Sequence, residues 1–193
     1  MKSLYINTTG VLLQLCFKEG DKVCNFLSDG SKSQSEEIFE AISSVLGDVK
    51  ISDLDFVVVV VGPGSFTGIR LGLSVVKGFL IATGVPVVCV NNFEAVYYTF
   101  KDKCLKEYNI CFDAGGKDCY FAKLDKDGEP VGGYSLMLKS DVVCDTVDFK
   151  IEPVKVLEEV ESSFDKALFV QKDIEPLYIK PHYAKKKDLG CNK

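Results

Sequence analysis

Apolar and polar positions change period several times along this chain. Leu4–Ile6, Val11–Phe17 and Val23–Leu27 read as three strands joined by tight turns at Thr8-Thr9-Gly10 and Glu19-Gly20-Asp21. The period then lengthens. Ile38, Ala41, Ile42 and Val45 make one helical face, preceded by Ser33 and Glu36 at capping-box spacing and followed by Gly47 for the C-terminal cap. Val57–Val61 shows no alternation, which predicts a strand buried on both faces, as in a parallel sheet. A helix over 66–83, a strand over 85–90 and a helix from about Asn92 to Lys101 follow. A smaller set restarts the hairpin pattern: Asn109–Asp113, Cys119–Leu124, an Asp125–Gly128 turn and Val131–Met137. Beyond Asp141 the pattern predicts only a strand at Ala167–Gln171 and the Pro176–Pro181 segment.

This order, β-β-β-α-β-α-β-α and then a shorter repeat, is that of an α/β fold of the ribonuclease-H-like or actin-like type with a reduced second lobe. We expect an N-terminal lobe over residues 1–102 and a smaller one over 103–193, whose last segment packs back on the first.

The strongest motif is Gly62-Pro-Gly-Ser-Phe-Thr-Gly-Ile-Arg-Leu-Gly72, at the exit of the valine strand. Gly62, Pro63 and Gly64 predict a rigid turn. Ser65 can cap a helix that starts with Phe66 and Thr67. A strand, glycine loop and helix N-terminus in sequence is a common phosphate site. Three such chemistries fail here on named residues. A P-loop places lysine directly after its second glycine, whereas the nearest one is Lys77, about three turns into the helix. A nucleophile elbow has glycine two before and two after its serine, where Ser65 has Pro63 and Thr67. A dinucleotide fold closes its next strand on an acid, and the strand at 85–90 closes on Asn91-Asn92.

The following helix carries two apolar stripes. Phe66, Ile69, Leu73, Val76 and Leu80 suffice to dock it on a sheet. Gly68, Gly72, Val75, Phe79 and Ala82 form a second stripe with the spacing of a helix–helix seam. Leaving Val75 and Phe79 in water would forgo roughly 1.5–3 kcal/mol each. Either a neighbouring helix of the same lobe covers this stripe or another protein does.

Composition adds little and excludes some classes. The chain has 193 residues, 47% apolar and 26% charged, as in an ordinary globular protein. No apolar run is expected to approach a membrane span, and the N-terminus enters a strand at once, without a signal-peptide core. A cytoplasmic setting is the expectation. The eight cysteines lack a Cys-x-x-Cys pair, so zinc knuckles and redox motifs are unsupported. Cys89, Cys111 and Cys119 read as small buried hydrophobes, and Cys16 and Cys24 as candidates to face one another across a hairpin.

The Gly62–Gly72 motif resembles the signature of the bacterial TsaB family. Ser35-Glu-Glu-Ile38, Asp113-Ala114, Tyr120 and Glu175-Pro-Leu-Tyr-Ile-Lys180 sit where that family has its weaker motifs, so the resemblance spans nearly the whole chain. It implies an actin-like (ASKHA) fold and a non-catalytic subunit that binds and activates a TsaD-like enzyme. With a TsaE-like ATPase, that enzyme places threonylcarbamoyl on adenosine 37 of tRNAs reading codons that begin with A. ATP is used by the complex, and tRNA is met indirectly. The resemblance also implies that the first helix and the glycine-rich helix form the seam with the partner, or a homodimer contact. Gly68, Gly72, Val75, Phe79 and Ala82 are the interface residues expected on this reading, with Gly62–Thr67 shaping the helix start.

Departures bear on chemistry. The first turn reads Asn7-Thr8-Thr9-Gly10 where the family has an acid, and an amide cannot supply the charge that positions a hydrated magnesium. Gln34 replaces a frequent histidine and Gly115 a frequent arginine. This makes residues 7–10 a degenerate nucleotide loop with no metal expected. The alternative reading, an actin-like nucleotide-dependent enzyme, would use Thr8, Thr9 and the Ser65 loop.

The catalytic inventory points away from an enzyme. His182 is the one histidine, and a Ser–His relay would require it to reach Ser65 from the far end of the chain. The paired acids Glu36-Glu37, Asp53/Asp55 and Glu158-Glu159 are expected to face solvent. A net charge of −5 argues against autonomous tRNA binding. Lys185, Lys186 and Lys187 form a local basic patch, read as a solvated tail or as an auxiliary tRNA contact.

Overall fold

The computed structural model describes residues 1–103, 107–142, 150–169 and 171–180. Its main sheet has five strands in the order β3-β2-β1-β4-β5. They are β1 (Lys2–Asn7), β2 (Gln14–Glu19), β3 (Lys22–Leu27), β4 (Phe56–Val60) and β5 (Val87–Val90). The first three are antiparallel, while β4 and β5 run parallel to β1. That mixed sheet, with the expected order of helices, is the ribonuclease-H-like, actin-like architecture. A second sheet, β6 (Glu107–Asp113), β7 (Asp118–Asp125) and β8 (Pro130–Leu138), is antiparallel throughout.

The valine run does what its lack of alternation requires. Val57 and Val59 point into one core with Ile38, Ala41 and Ile42 of α1 (Gln34–Leu46) and Ile69, Leu73 and Val76 of α2 (Phe66–Thr83). Val58 and Val60 point into the other, with Phe93 and Val96 of α3 (Asn92–Phe100) and Tyr120 and Ala122 of the second sheet. All four valines are fully buried.

Several expectations are corrected. β2 begins at Gln14 rather than Val11, because residues 10–12 bend away as a rim on which Val11 is 92% exposed. β5 starts at Val87, since Pro86 has no N–H for a ladder. Cys16 pairs with Asn25 and Cys24 with Phe17, so the two thiols belong to opposite faces of the sheet. A helix the pattern missed, α4 (Pro153–Ser163), packs Val156, Leu157 and Val160 under the sheet. Ser3 Oγ and Lys18 Nζ pin it by bonds to Glu161, at 3.0 and 2.6 Å.

The predicted strand at Ala167–Gln171 is absent among the described residues. Residues 166–168 form a turn. Instead, the Gln171 amide accepts from Val87 N at 2.9 Å and donates to Val87 O at 3.0 Å, imitating a neighbouring strand on the exposed edge of β5. Finally, α2 is long and apolar enough to cross a membrane by length and composition, contrary to expectation. Its Ile69, Leu73 and Val76 lie buried on the sheet, as in a core helix.

Candidate functional site

The first turn and the glycine-rich motif of the sequence converge where β1 ends. The chain turns through Thr8 and Thr9, and the signature loop lies directly against that turn. A β-carbon at Gly64 or Gly68 would overlap the carbonyl oxygens of Thr9 and Thr8, and one at Gly72 would stand 2.5 Å from Thr8 Oγ1. Gly64 and Gly68 are therefore required by the backbone of the chain's own first turn, and Gly72 by the Thr8 side chain. Gly62, at φ 117°, is similarly closed on its other side by the Leu177 carbonyl, 2.7 Å from the place of a β-carbon.

Hydrogen bonds tie the turn to the loop. Thr8 Oγ1 donates to Gly68 O at 2.7 Å, and Ser65 N donates to Thr9 O at 2.7 Å. Asn7 Oδ1 accepts from both Thr9 N and Thr9 Oγ1, at 2.9 and 2.7 Å, while its Nδ2 donates to the Tyr5 hydroxyl at 3.2 Å. Burial pushes the Tyr5 hydroxyl far above its ordinary range, so it remains a neutral acceptor. Asn92 completes the arrangement. Its Nδ2 donates to Thr9 Oγ1 at 2.8 Å and to Pro63 O at 2.6 Å, and its N donates to Gly62 O at 2.7 Å. In the sequence, Asn91-Asn92 stands where a dinucleotide fold has its acid and where a helix begins, with no sign of this bridging role. Asn91 in fact caps α3, accepting from Phe93 N and Glu94 N.

Ser65 caps α2 as expected, accepting from Gly68 N at 3.2 Å. Phe66 packs against Tyr178 with ring centroids 4.9 Å apart and planes tilted by 31°, and the Arg70 guanidinium lies 3.8 Å over the Phe66 ring. Thr67 is exposed. The segment before Pro181 thus runs along the signature loop. Leu177 N bonds Val61 O at 2.8 Å, and Lys180 Nζ reaches Ala114 O and Asp118 Oδ2 at 3.1 and 3.0 Å. Lys139 beside Asp113, at 2.8 Å, holds that carboxyl below the usual range.

A cleft of about 780 Å³ opens above this latch, between the rim of residues 10–12 and the second sheet. Asn7, Gly10, Ser65, Gln34, Asp113 and Tyr120 are on its wall. Gln34 is committed to the rim, donating to Gly10 O and Val11 O at 2.9 and 3.0 Å.

The expected interface residues separate into two groups. Gly68, Gly72 and Val75 are buried within the chain, the two glycines under Thr8. Neither a neighbouring helix nor a partner is needed to cover them. Phe79 is half-buried and Ala82 exposed. The outer face of α2 carries Gly78, with open space where a β-carbon would stand, and Ile81, 86% exposed; Leu71 is half-buried beside them. On α1, Phe39 is 61% exposed. Lys185, Lys186, Lys187 and His182 lie outside the described residues.

The paired acids do not all face solvent. Glu36 does, closing the predicted capping box by accepting from Ser33 N at 2.9 Å, and the Ser33 contacts hold its carboxyl below the usual range. Glu37 is buried instead, since the next position along a helix is turned by about 100° toward the sheet.

This architecture, a mixed actin-like sheet whose first turn is latched to a glycine-rich helix start, defines the class of protein. Residues 28–152, well over half of the chain, match the family model described as TsaD, tRNA N6-adenosine threonylcarbamoyltransferase. The chain belongs to this family, and within it to the TsaB/YeaZ group. It is 28% identical over 99 residues to the tRNA threonylcarbamoyladenosine biosynthesis protein TsaB of Bacillus subtilis, covering 50% of this chain and 43% of that one. The Buchnera aphidicola TsaB is 26% identical over 129 residues, covering 64% and 57%. The chain spans about half the length of these curated relatives. A solved structure from Pseudomonas aeruginosa, described as an uncharacterized protein with similarity to peptidase YEAZ, superposes with a TM-score of 0.73. It is 16% identical and covers 93% of this chain and 99% of that one, a likeness of fold.

Proposed function

We propose that this chain is a non-catalytic subunit of the complex that forms N6-threonylcarbamoyladenosine at adenosine 37 of tRNA, and that it binds and activates a TsaD-like transferase. A TsaE-like ATPase and tRNA belong to the same assembly, where ATP is consumed.

One observation carries the reading. The turn that in an actin-like ATPase would serve a nucleotide is spent on internal bonds: Asn7, Thr8 and Thr9 are engaged with Tyr5, Gly68 and Asn92. Meanwhile the outer faces of α1 and α2, on one side of the sheet, leave Phe39 and Ile81 exposed. Burying such side chains against a partner is worth roughly 1.5–3 kcal/mol each. The seam belongs on this outer face, with Ala82 and Phe79 at its border, and Gly68, Gly72 and Val75 support it from beneath. The same face would carry a homodimer when the partner is absent.

The cleft beside Ser65 favours one other reading, a nucleotide-dependent enzyme. Calorimetry with ATP on the isolated chain separates the two. Saturable ATP binding, lost on Thr8→Val with Thr9→Val in a still-folded protein, would support the enzyme. Complex formation with a TsaD-like protein in the absence of such binding supports the subunit.

A further inference from the structure

A second recess lies apart from the latch and the cleft, between α1 and β3. It encloses about 320 Å³ and is lined by Phe26 and Leu27 of β3, Asp29 and Lys32 of the next loop, and Glu37 and Glu40 of α1. Glu37 is only 7% exposed, and its Oε1 is wholly buried without a hydrogen-bond partner. A carboxylate oxygen gives up strong hydration to occupy such a place, and the first turn of α1 returns only part of that through its amide dipoles. The recess has its own cation, Lys32, but that ammonium pairs with Glu40 at 3.3 Å and its side chain is 57% exposed. Three acids therefore share one lysine, which pairs only with Glu40, and the most buried of them, Glu37, keeps an oxygen with no partner. No three carboxylate, imidazole or thiol groups converge closely enough to hold a metal ion among the described residues.

We infer that this recess receives a cationic side chain, an arginine in preference to a lysine, from a protein docked across α1. The guanidinium is planar, weakly hydrated and rich in N–H donors, so it tolerates the apolar wall of Phe26 and Leu27 while presenting one donor to Glu37. Its remaining donors have Glu40 and Asp29 within the same recess. A compact, strongly hydrated ammonium fits an apolar wall less well. The identity of the docked protein, a TsaD-like transferase, rests on the function proposed above, whereas the chemistry of the recess does not.

Two measurements test this. In the first, the chain is titrated with N-acetyl-arginine methylamide and with its neutral citrulline counterpart, followed by amide NMR. Saturable shifts at Asp29–Lys32 and along Glu37–Ser44 are expected with the arginine compound alone, and are expected to vanish in Glu37→Gln. The exposed Glu40→Gln variant, which leaves packing untouched, should weaken them. Equal shifts with citrulline, or unchanged shifts in Glu37→Gln, overturn the inference. In the second, a TsaD-like protein is titrated into wild type and Glu37→Gln by calorimetry, with a loss of roughly ten- to a hundredfold expected in the variant. Equal affinity overturns the inference and leaves the subunit reading standing. Absence of binding to wild type overturns that reading and, with it, the assigned source of the cation.

Discussion

Thr8 meets Gly68 in two ways, by one hydrogen bond and by close backbone approach. The Thr8 hydroxyl donates to the Gly68 carbonyl at 2.7 Å, and the Thr8 carbonyl occupies the space a β-carbon on Gly68 would need. The signature helix is thereby fastened to the end of the first strand. Its direction sets where the outer face of α2 stands, and so links a local packing constraint to the proposed binding surface.

Two glycines of the same helix should therefore respond oppositely to alanine. Gly68→Ala drives a methyl group into backbone and should destabilise by about 2 kcal/mol or more. Gly78→Ala enters open space in a helix interior and should stabilise by roughly 0.5–1 kcal/mol. Urea unfolding of both variants reads the difference directly, and equal midpoints would contradict the latch.

Asn92 should matter more than its lack of obvious chemistry suggests. Asn92→Ala removes the donor that bridges Thr9 Oγ1 and Pro63 O, leaving buried acceptors unmatched, at a cost of about 1–3 kcal/mol. Hydrogen exchange should show faster opening at Thr9 and Ser65 in this variant. Unchanged protection there would place the strength of the latch elsewhere.

Glu94 carries a specific pH signature. Burial raises its carboxyl pKa above the ordinary value, despite the bond it accepts from Asn91 N. A folded-state pKa above the unfolded value of about 4.3 means that the native state binds the proton more tightly. Its contribution to stability therefore rises as pH falls through the folded pKa and levels off below the unfolded one. Glu94→Gln keeps an acceptor for Asn91 N and should abolish that rise. The quantity to measure is the wild-type minus variant unfolding free energy between neutral and mildly acidic pH; a flat difference would sink the assignment.

Much of this fold is visible in residue patterns, for identifiable reasons. Val57–Val61 is apolar at every position because both faces of β4 meet a core. Ser65 and Gly62 mark a strand-to-helix turn through cap and backbone chemistry that any sequence displays locally. The purpose of Gly68 and Gly72 is not local. A stripe of small residues reads the same whether a turn or another protein approaches it, and here it is Thr8, sixty positions earlier in the chain. α4 was hidden because Lys155, Glu158, Glu159 and Glu161 dilute its apolar face to Val156, Leu157 and Val160. Glu36 and Glu37 look alike in sequence, and only helix phase separates the solvated cap from the buried acid.

The central claim is that the outer faces of α1 and α2 bind a TsaD-like transferase. Size-exclusion chromatography with light scattering tests it on an equimolar mixture, with Ile81→Arg and Phe39→Arg beside wild type. Both side chains are exposed, so the variants should keep the wild-type circular dichroism and unfolding midpoint. Wild type should form a mixed complex that either arginine weakens at least tenfold, by about 1.4 kcal/mol or more. A complex equally strong in both variants would move the seam off these helices, and no complex with wild type under any nucleotide condition would contradict the function itself.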